Sequence, residues 1–164
     1  MRLLLENLLF TMVAPGTVAG LLPWLLARDC SVASGGFRTV ALILFGIGGA
    51  IYAWCVWDFA TFGRGTPAPI AAPKRLVVRG LYRFTRNPMY LGVLTVILGW
   101  SVLFQTPSVI GYAAVVAVCF HSFIVFYEEP HLASEFGIEY ADYRSGVGRW
   151  LPRLPRGTDE EELS

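Results

Sequence analysis

Long apolar stretches separated by short polar connections run along the chain. Four of them approach the roughly 20 apolar residues that a helix needs to cross a bilayer, and they lie at about residues 5–27, 39–62, 89–105 and 108–127. Glu6 interrupts the first stretch, which is also longer than the apolar part of a signal peptide. The pattern therefore predicts an all-α fold, a polytopic membrane helical bundle with about four transmembrane helices.

The composition supports a membrane protein. Hydrophobic residues make up 55% of the chain and charged residues 15%, with a mean hydropathy of +0.55, whereas soluble domains are usually about a quarter charged. The net charge of +1 excludes the strongly basic surface of a nucleic-acid-binding protein. The three cysteines lie far apart and form no CxxC motif, so we expect neither a disulfide framework nor a metal site.

Small residues recur at helical spacing in the second apolar stretch. Gly46 and Ala50 are four residues apart, as are Gly49 and Ala53, and this spacing is typical of helices that approach one another closely. A glycine-rich nucleotide-binding loop is disfavoured, because these glycines lie inside an apolar stretch and follow no predicted strand. The two pairs therefore predict helix packing.

Basic residues are concentrated on one predicted face of the membrane. Eleven of the thirteen lie in segment 64–86, in the C-terminal tail or at Arg2, and only Arg28 and Arg38 fall on the opposite side. Since Lys and Arg are retained on the cytoplasmic side, both termini are predicted to be cytoplasmic. No added targeting signal is recognised, which favours a bacterial inner membrane.

The third apolar stretch begins with a strong helix signal. Asn87 followed by Pro88 is typical of an N-cap residue with proline at the first helical position. Pro107 permits a tight turn between the third and fourth stretches. The two stretches therefore predict an antiparallel hairpin that returns the chain to its starting face.

This hairpin brings two polar motifs to the same end. Arg86 and Tyr90 lie at the start of the third stretch, and Glu128 and Glu129 follow the fourth. Negative charge is disfavoured at the C-terminal end of a helix, so a compensating group is expected nearby. A salt bridge to Arg83 or Arg86 and a site for a zwitterionic or cationic ligand both satisfy this expectation.

The region after the glutamates shows an amphipathic helical pattern. Leu132, Phe136, Tyr140 and Tyr143 are spaced at i, i+4, i+8 and i+11. The predicted cytoplasmic helix either lies on the membrane surface or covers a site. Further along, Trp150 is suited to anchoring the chain at the membrane interface.

One domain is predicted to include nearly the whole chain, over residues 1–156, with the cytoplasmic elements at 76–90 and 128–152. The acidic tail at 157–164 is expected to be disordered. Among polar residues within the apolar stretches, His121 is expected to face the bundle interior as a hydrogen-bonded packing residue. Asp58 is expected to form a site wall or to pair with Arg64.

Several motifs follow one another in a characteristic order: Arg86-Asn87-Pro88-Met89-Tyr90-Leu91-Gly92, then Glu128-Glu129, then residues 136–143, and finally Arg149-Trp150-Leu151-Pro152. Together they resemble the isoprenylcysteine carboxyl methyltransferase and phospholipid methyltransferase superfamily, over about residues 76–152. Asn87 replaces the histidine of the isoprenylcysteine group's motif. In this respect the chain is more similar to the phospholipid methyltransferase and general bacterial variants.

The resemblance implies an integral-membrane enzyme that uses S-adenosylmethionine, releases S-adenosylhomocysteine and holds the cofactor in a cytoplasm-facing pocket. By motif position, it implies these cofactor-binding residues: Arg86, Asn87, Pro88, Tyr90, Glu128, Phe136 and Tyr140. It also implies that Arg86 and Glu129 border the methyl acceptor as catalytic residues, with Arg149 beside the pocket. The acceptor is expected to be lipophilic or embedded in the membrane, and both O- and N-methylation stay open.

Two other classes of function compete with this interpretation. A non-catalytic membrane module that binds anionic lipid or a partner protein would use the basic connection and the amphipathic helix. It explains the charges but not the ordered set of motifs. A small transporter is disfavoured, because the apolar stretches contain few ionisable residues and no evident inverted repeat.

Overall fold

The computed structural model of this protein describes residues 15–63 and 75–151. Across these two ranges the secondary structure is helical, with one isolated bridge between Thr85 and Gly148 and no strand. The all-α prediction is therefore confirmed. The beginning of the first predicted span, Arg64 and the acidic tail at 157–164 lie outside the described residues.

Five principal helices follow one another along the chain. They are α1 (Thr17–Ala27), α2 (Gly36–Asp58), α3 (Pro88–Phe104), α4 (Pro107–Phe123) and α5 (Glu129–Gly146). A π-helical turn at Phe59–Gly63 extends α2, and another at Ile124–Glu128 joins α4 to α5 without a break. A short 3₁₀ turn at Gly80–Arg83 precedes α3.

Two of the described helices are long and apolar enough to cross a membrane. One runs over Gly36–Phe62 and the other over Pro107–Gly146. The helices Thr17–Ala27 and Pro88–Phe104 are also apolar but shorter. Large apolar side chains on α2 and α4 face outward, as lipid-facing residues do; Trp57, for example, is 67% exposed. These helices support a membrane protein, while the count of four spans stays a prediction.

Helices α2 and α3 approach one another closely at Gly48 of α2 and Gly92 of α3. A Cβ atom on Gly48 would lie 2.6 Å from the carbonyl oxygen of Gly92, and one on Gly92 would lie 3.0 Å from that of Gly48. Close packing in α2 was predicted correctly, but its position was wrong. A Cβ atom added to Gly46 or to Gly49 would have no packing neighbour within 4 Å in the described part of the protein. Because α2 is apolar all round, its sequence gives little indication of which face is buried.

Helix α1 packs against the hairpin through its own irregular turn. Its first five residues, Thr17–Leu21, are π-helical, a geometry that disturbs the regular ladder of backbone hydrogen bonds. Trp100 Nε1 donates a hydrogen bond to the carbonyl of Ala19, and the Tyr112 hydroxyl donates one to the carbonyl of Val18, each at 2.8 Å. Side chains from α3 and α4 thus fix this turn on the bundle.

The α3–α4 hairpin determines where the polar residues meet. Gln105 adopts a left-handed conformation after α3, and α4 begins at Pro107, as the sequence predicts for a tight turn. Both helices contain 17 residues, so each is about 25 Å long at 1.5 Å per residue. The start of α3 therefore lies beside the end of α4, where the rings of Tyr90 and Phe120 are 4.7 Å apart.

Candidate functional site

Three segments distant in sequence converge at the polar end of the hairpin. They are the start of α3 with the residues just before it, the junction between α4 and α5, and residues 147–151, which we call the C-terminal strap. A cleft between the first two segments and α5 is lined by Arg86, Asn87, Ile124, Glu128, Glu129, Leu132, Tyr140 and Tyr143.

A charged cluster of Arg86, Glu129 and Arg149 forms the polar wall of this site. Glu129 accepts two hydrogen bonds from the Arg149 guanidinium, from Nε at 2.7 Å and from Nη2 at 3.0 Å, and it lies 3.1 Å from Arg86 Nη1. The side chains of Arg86 and Glu129 are only 10% and 8% exposed. The hydrogen bonds to Glu129 raise the pKa of Arg149. The salt bridge to Arg86 predicted for the glutamates is therefore present at Glu129.

Arg86 retains a buried hydrogen-bond donor that is unused. Its Nη1 also donates to the Tyr140 hydroxyl, at 3.1 Å. Its Nε is buried and has no hydrogen-bond partner among the described residues. Leaving a buried donor of a charged group unpaired is costly. This atom is therefore well suited to bind an acceptor group of a ligand.

Glu128 has a different environment from its neighbour. It accepts a hydrogen bond of 2.8 Å from the Tyr90 hydroxyl, and no cation of the described ranges lies within ion-pair distance of it. The two adjacent glutamates therefore differ in charge balance. Glu129 is neutralised by two arginines, whereas Glu128 is available to a cationic group.

Helix α3 begins at the predicted residue, but it is not capped in the predicted way. The helix begins at Pro88 with Asn87 before it, but the Asn87 side chain makes no capping hydrogen bond. Instead, Asn87 Nδ2 donates to the carbonyl of Arg149 at 3.0 Å. The prediction that Asn87 caps the helix is therefore wrong in this respect, because the side chain binds the strap that follows α5.

Helix α5 is interrupted at Gly137, where φ is 50° and ψ is −119°. The sequence pattern predicted one uninterrupted amphipathic helix, which this conformation contradicts, since it is one that residues other than glycine avoid. Tyr140, after the break, is 3% exposed and lines the cleft. Phe136, before it, is half-buried and does not line the cleft.

The remaining candidates are placed as follows. Arg86, Asn87, Glu128, Glu129 and Tyr140 line the cleft directly. Tyr90 reaches it through its hydrogen bond to Glu128, and Pro88 is buried as the first residue of α3. The structure thus brings the predicted site residues to the cleft or into hydrogen-bond contact with it, apart from Pro88 and Phe136, which do not line it.

Two contacts at the site had no signal in the sequence. The Thr85 hydroxyl donates to the carbonyl of Arg149 at 3.0 Å, and the Tyr143 hydroxyl donates to the carbonyl of Tyr82 at 2.7 Å. Both acceptors are backbone groups more than sixty residues away in the chain. Contacts of this kind leave no residue pattern from which they could be predicted.

The two polar residues of the apolar stretches lie outside the cleft. His121 is exposed rather than facing the interior, and its Nδ1 accepts a hydrogen bond of 3.1 Å from Trp150 Nε1. The prediction that His121 forms a hydrogen bond is confirmed. The prediction that its side chain faces the bundle interior is wrong. Asp58 is 3% exposed and approaches Gly80 too closely for a Cβ atom there. Within the described ranges, no group of acidic, histidine or cysteine side chains could hold a metal ion.

The comparisons with known proteins agree with these motifs. The sequence model of the family described as phospholipid methyltransferase matches residues 37–139, well over half of the chain. The protein therefore belongs to the phospholipid methyltransferase family, and the superfamily resemblance found in the sequence is confirmed. The protein is thus a member of this family that contains apolar, membrane-type helices.

Individual relatives point to the same superfamily. The chain is 37% identical over 78 residues to protein-S-isoprenylcysteine O-methyltransferase A of Arabidopsis thaliana, a match of 47% of this chain and 39% of that protein. It is 31% identical over 77 residues to protein-S-isoprenylcysteine O-methyltransferase of Tribolium castaneum, covering 47% of this chain and 27% of the relative. The chain thus spans two fifths or less of these two relatives' length.

Proposed function

We propose that this protein is an S-adenosylmethionine-dependent methyltransferase that acts on a lipophilic acceptor at the membrane. The observation that carries the proposal is the buried charged cluster beside an available carboxylate, in a chain of the phospholipid methyltransferase family. A buried cluster of this kind adds little to the stability of the fold, because the cost of removing its charges from water offsets most of their attraction. Its place at a cleft is better explained by ligand binding.

The residues present fit the charges of this methyl donor. S-adenosylmethionine carries a carboxylate, an ammonium and a sulfonium, and charges removed from water need partners. The unpaired Nε of Arg86 suits the carboxylate, and Glu128 suits a cationic group. The rings of Tyr90 and Tyr140 supply aromatic surface, on which a cation gains about 0.5 to 2 kcal/mol. When bound, the donor supplies an activated methyl group.

The protein's own contribution is to position the reactants. Methyl transfer requires the lone pair of the acceptor to lie in line with the methyl group, and holding two reactants in line supplies much of a rate enhancement. Arg86 and Glu129 are proposed to orient donor and acceptor at their common border. Glu128, which has no cationic partner in the described segments, is proposed to take a proton from an acceptor that arrives protonated.

The cleft must widen to admit the donor. Its volume in this conformation is about 20 Å³, which is room for about one water molecule. Glu129 and Leu132 line the cleft before the break in α5 at Gly137, and Tyr140 and Tyr143 line it after the break. The second half of α5 therefore carries two of the lining side chains. We propose that movement of this half of α5 accompanies donor binding.

The proposed membrane arrangement places the cleft at the cytoplasmic face, with four spans and both termini on that side. Phe126 and Tyr127, which directly precede the glutamates, are 80% and 52% exposed. Exposed tyrosine side chains favour the membrane interface, because their rings are amphipathic. A lipophilic acceptor would therefore enter sideways from the bilayer, while the polar donor enters from water.

Calorimetric titration with S-adenosylhomocysteine tests the donor site. Wild-type protein in detergent and in lipid nanodiscs should bind it with micromolar affinity, and Arg86→Ala and Glu128→Ala should lose this binding while staying folded. Glu135→Ala is the matched control, because Glu135 is exposed on α5 and lies outside the cleft. If folded wild-type protein does not bind in either medium, the methyltransferase proposal fails and a lipid- or partner-binding module becomes the leading hypothesis.

A second experiment tests the acceptor class. Methyl-labelled S-adenosylmethionine is incubated with the protein and either membrane lipids or water-soluble amines and carboxylates. Label should be transferred preferentially to a lipid-phase acceptor. Equal transfer to a water-soluble acceptor in detergent would contradict entry from the bilayer.

A further inference from the structure

Thr85 occupies an unusual position for a polar side chain. It lies between Phe84 and Arg86, just before α3, and is only 6% exposed. It does not line the cleft. A buried hydroxyl must find hydrogen-bond partners, and those of Thr85 all belong to backbone groups at the site.

The hydroxyl of Thr85 joins the start of α3 to the C-terminal strap. It donates to the carbonyls of Arg149 and Trp150, at 3.0 and 3.2 Å, and accepts the backbone N–H of Asn87 at 3.4 Å. Its backbone forms a parallel bridge with Gly148. Thr85 thus holds one side of the strap along most of its length.

The strap needs this support because α5 has already ended. After Gly146 the backbone is extended at Val147, and residues 148–150 lie outside any helix. The bridge to Gly148 includes a hydrogen bond from the Arg86 N–H to the Gly148 carbonyl at 2.9 Å, and the Asn87 side chain adds another from Nδ2 to the Arg149 carbonyl at 3.0 Å.

The position of the strap determines the geometry of the charged cluster. Arg149 meets Glu129 through two hydrogen bonds, from Nε and from Nη2. A two-point contact of this kind depends on a fixed orientation of the guanidinium. The carbonyl of Arg149 accepts hydrogen bonds from the Thr85 hydroxyl and from Asn87 Nδ2. Loss of the Thr85 bond removes one of these two restraints on the backbone from which the Arg149 side chain extends.

We propose that Thr85 is a positioning residue of the methyl-donor site, acting through Arg149 on Glu129 and Arg86. This inference rests on the proposed function, since it concerns the same cleft. Thr85 touches no ligand in this proposal. Its effect on binding arises because it holds the arginine that neutralises Glu129.

The test compares hydroxyl-deleted and hydroxyl-retaining variants by titration with S-adenosylhomocysteine. Thr85→Val keeps the shape and removes the hydroxyl, and it should weaken binding about tenfold, as expected for the loss of a buried hydrogen-bonding group. Thr85→Ser should bind within about threefold of wild type. Thr95→Val is the matched control, because the Thr95 hydroxyl bonds only within α3, to the carbonyl of Leu91.

A double-variant cycle separates positioning from general stability. If Thr85 acts through Arg149, adding Thr85→Val to Arg149→Gln should change the dissociation constant by less than about twofold. A merely structural role would reduce binding by the same factor in both backgrounds. Equal factors would overturn the inference.

The outcomes also distinguish this inference from the proposed function. Failure of wild-type protein to bind S-adenosylhomocysteine refutes the function itself. Wild-type binding that Thr85→Val leaves unchanged refutes only the role of Thr85. Thr85→Ala provides a second deletion if the valine variant does not fold, and if neither folds while Thr85→Ser does, Thr85 is a folding residue and the inference is overturned.

Discussion

Removing the charge of Glu129 is the perturbation with the largest expected effect on this structure. Glu129 is 7% exposed and lies between two guanidinium groups, 3.1 Å from Arg86 and 2.7 Å from Arg149. In Glu129→Gln the side chain keeps its shape and loses its charge. Two arginines then face one another without a neutralising partner.

The expected cost follows from the burial of each group. Breaking a buried ion pair by removing one partner costs about 3 to 5 kcal/mol, because the other charge stays buried and unpaired. Arg86 is 10% exposed and fits that description, whereas Arg149 is 28% exposed and regains part of its hydration. We therefore expect Glu129→Gln to lower the free energy of unfolding by about 2 to 4 kcal/mol.

Denaturant titration in mixed micelles, followed by the fluorescence of the five tryptophans, measures this change. Glu135→Gln is the control on the same helix, since Glu135 is exposed and should shift the free energy by less than about 0.5 kcal/mol. The double variant Glu129→Gln with Arg149→Gln should recover part of the loss, because it removes one uncompensated charge. A loss below about 1 kcal/mol in Glu129→Gln would refute the description of the cluster as a buried unit held by the ion pairs of Glu129.

Three further variants test other parts of the structure. Gly48→Ala should lower the free energy of unfolding by about 1 to 3 kcal/mol, because the added Cβ atom would overlap α3. Gly49→Ala should not lower it, because its Cβ atom would face open space. Equal unfolding midpoints for the two variants would contradict the close approach of α2 and α3 at Gly48. Gly137→Ala should lower the free energy of unfolding by about 1 to 2 kcal/mol, because Gly137 has a positive φ that other residues avoid. An equal effect of Gly146→Ala would contradict this explanation. Tyr90→Phe loses the hydrogen bond to Glu128 and should weaken S-adenosylhomocysteine binding about fivefold. An unchanged affinity in calorimetry would argue against a role of Tyr90 at the site.

Local sequence signals predicted the framework of the site well. Pro88 and Pro107 fix the starts of α3 and α4, and the length of the hairpin between them follows from the apolar pattern. These features depend on neighbouring residues alone. They are sufficient to place Arg86 at the same end of the hairpin as Glu128 and Glu129.

Features that depend on distant backbone groups could not be predicted. Asn87 has the sequence of a helix cap, but the carbonyl of Arg149 competes successfully for its side chain. Thr85 bonds to the same carbonyl, and no pattern in the sequence pairs it with a segment more than sixty residues away. The face of α2 that packs is equally hidden, because Gly46, Gly48 and Gly49 all lie in an apolar helix.

The strap has a consequence for how the protein is made. Arg149 follows every described helix in the chain, so a nascent polypeptide that has reached only Gly146 contains all five helices but lacks the second arginine of the charged cluster. Glu129 is then paired with Arg86 alone. The helices can therefore insert and pack before the cleft gains its final charge balance, and a prematurely terminated product would carry the bundle without a complete site.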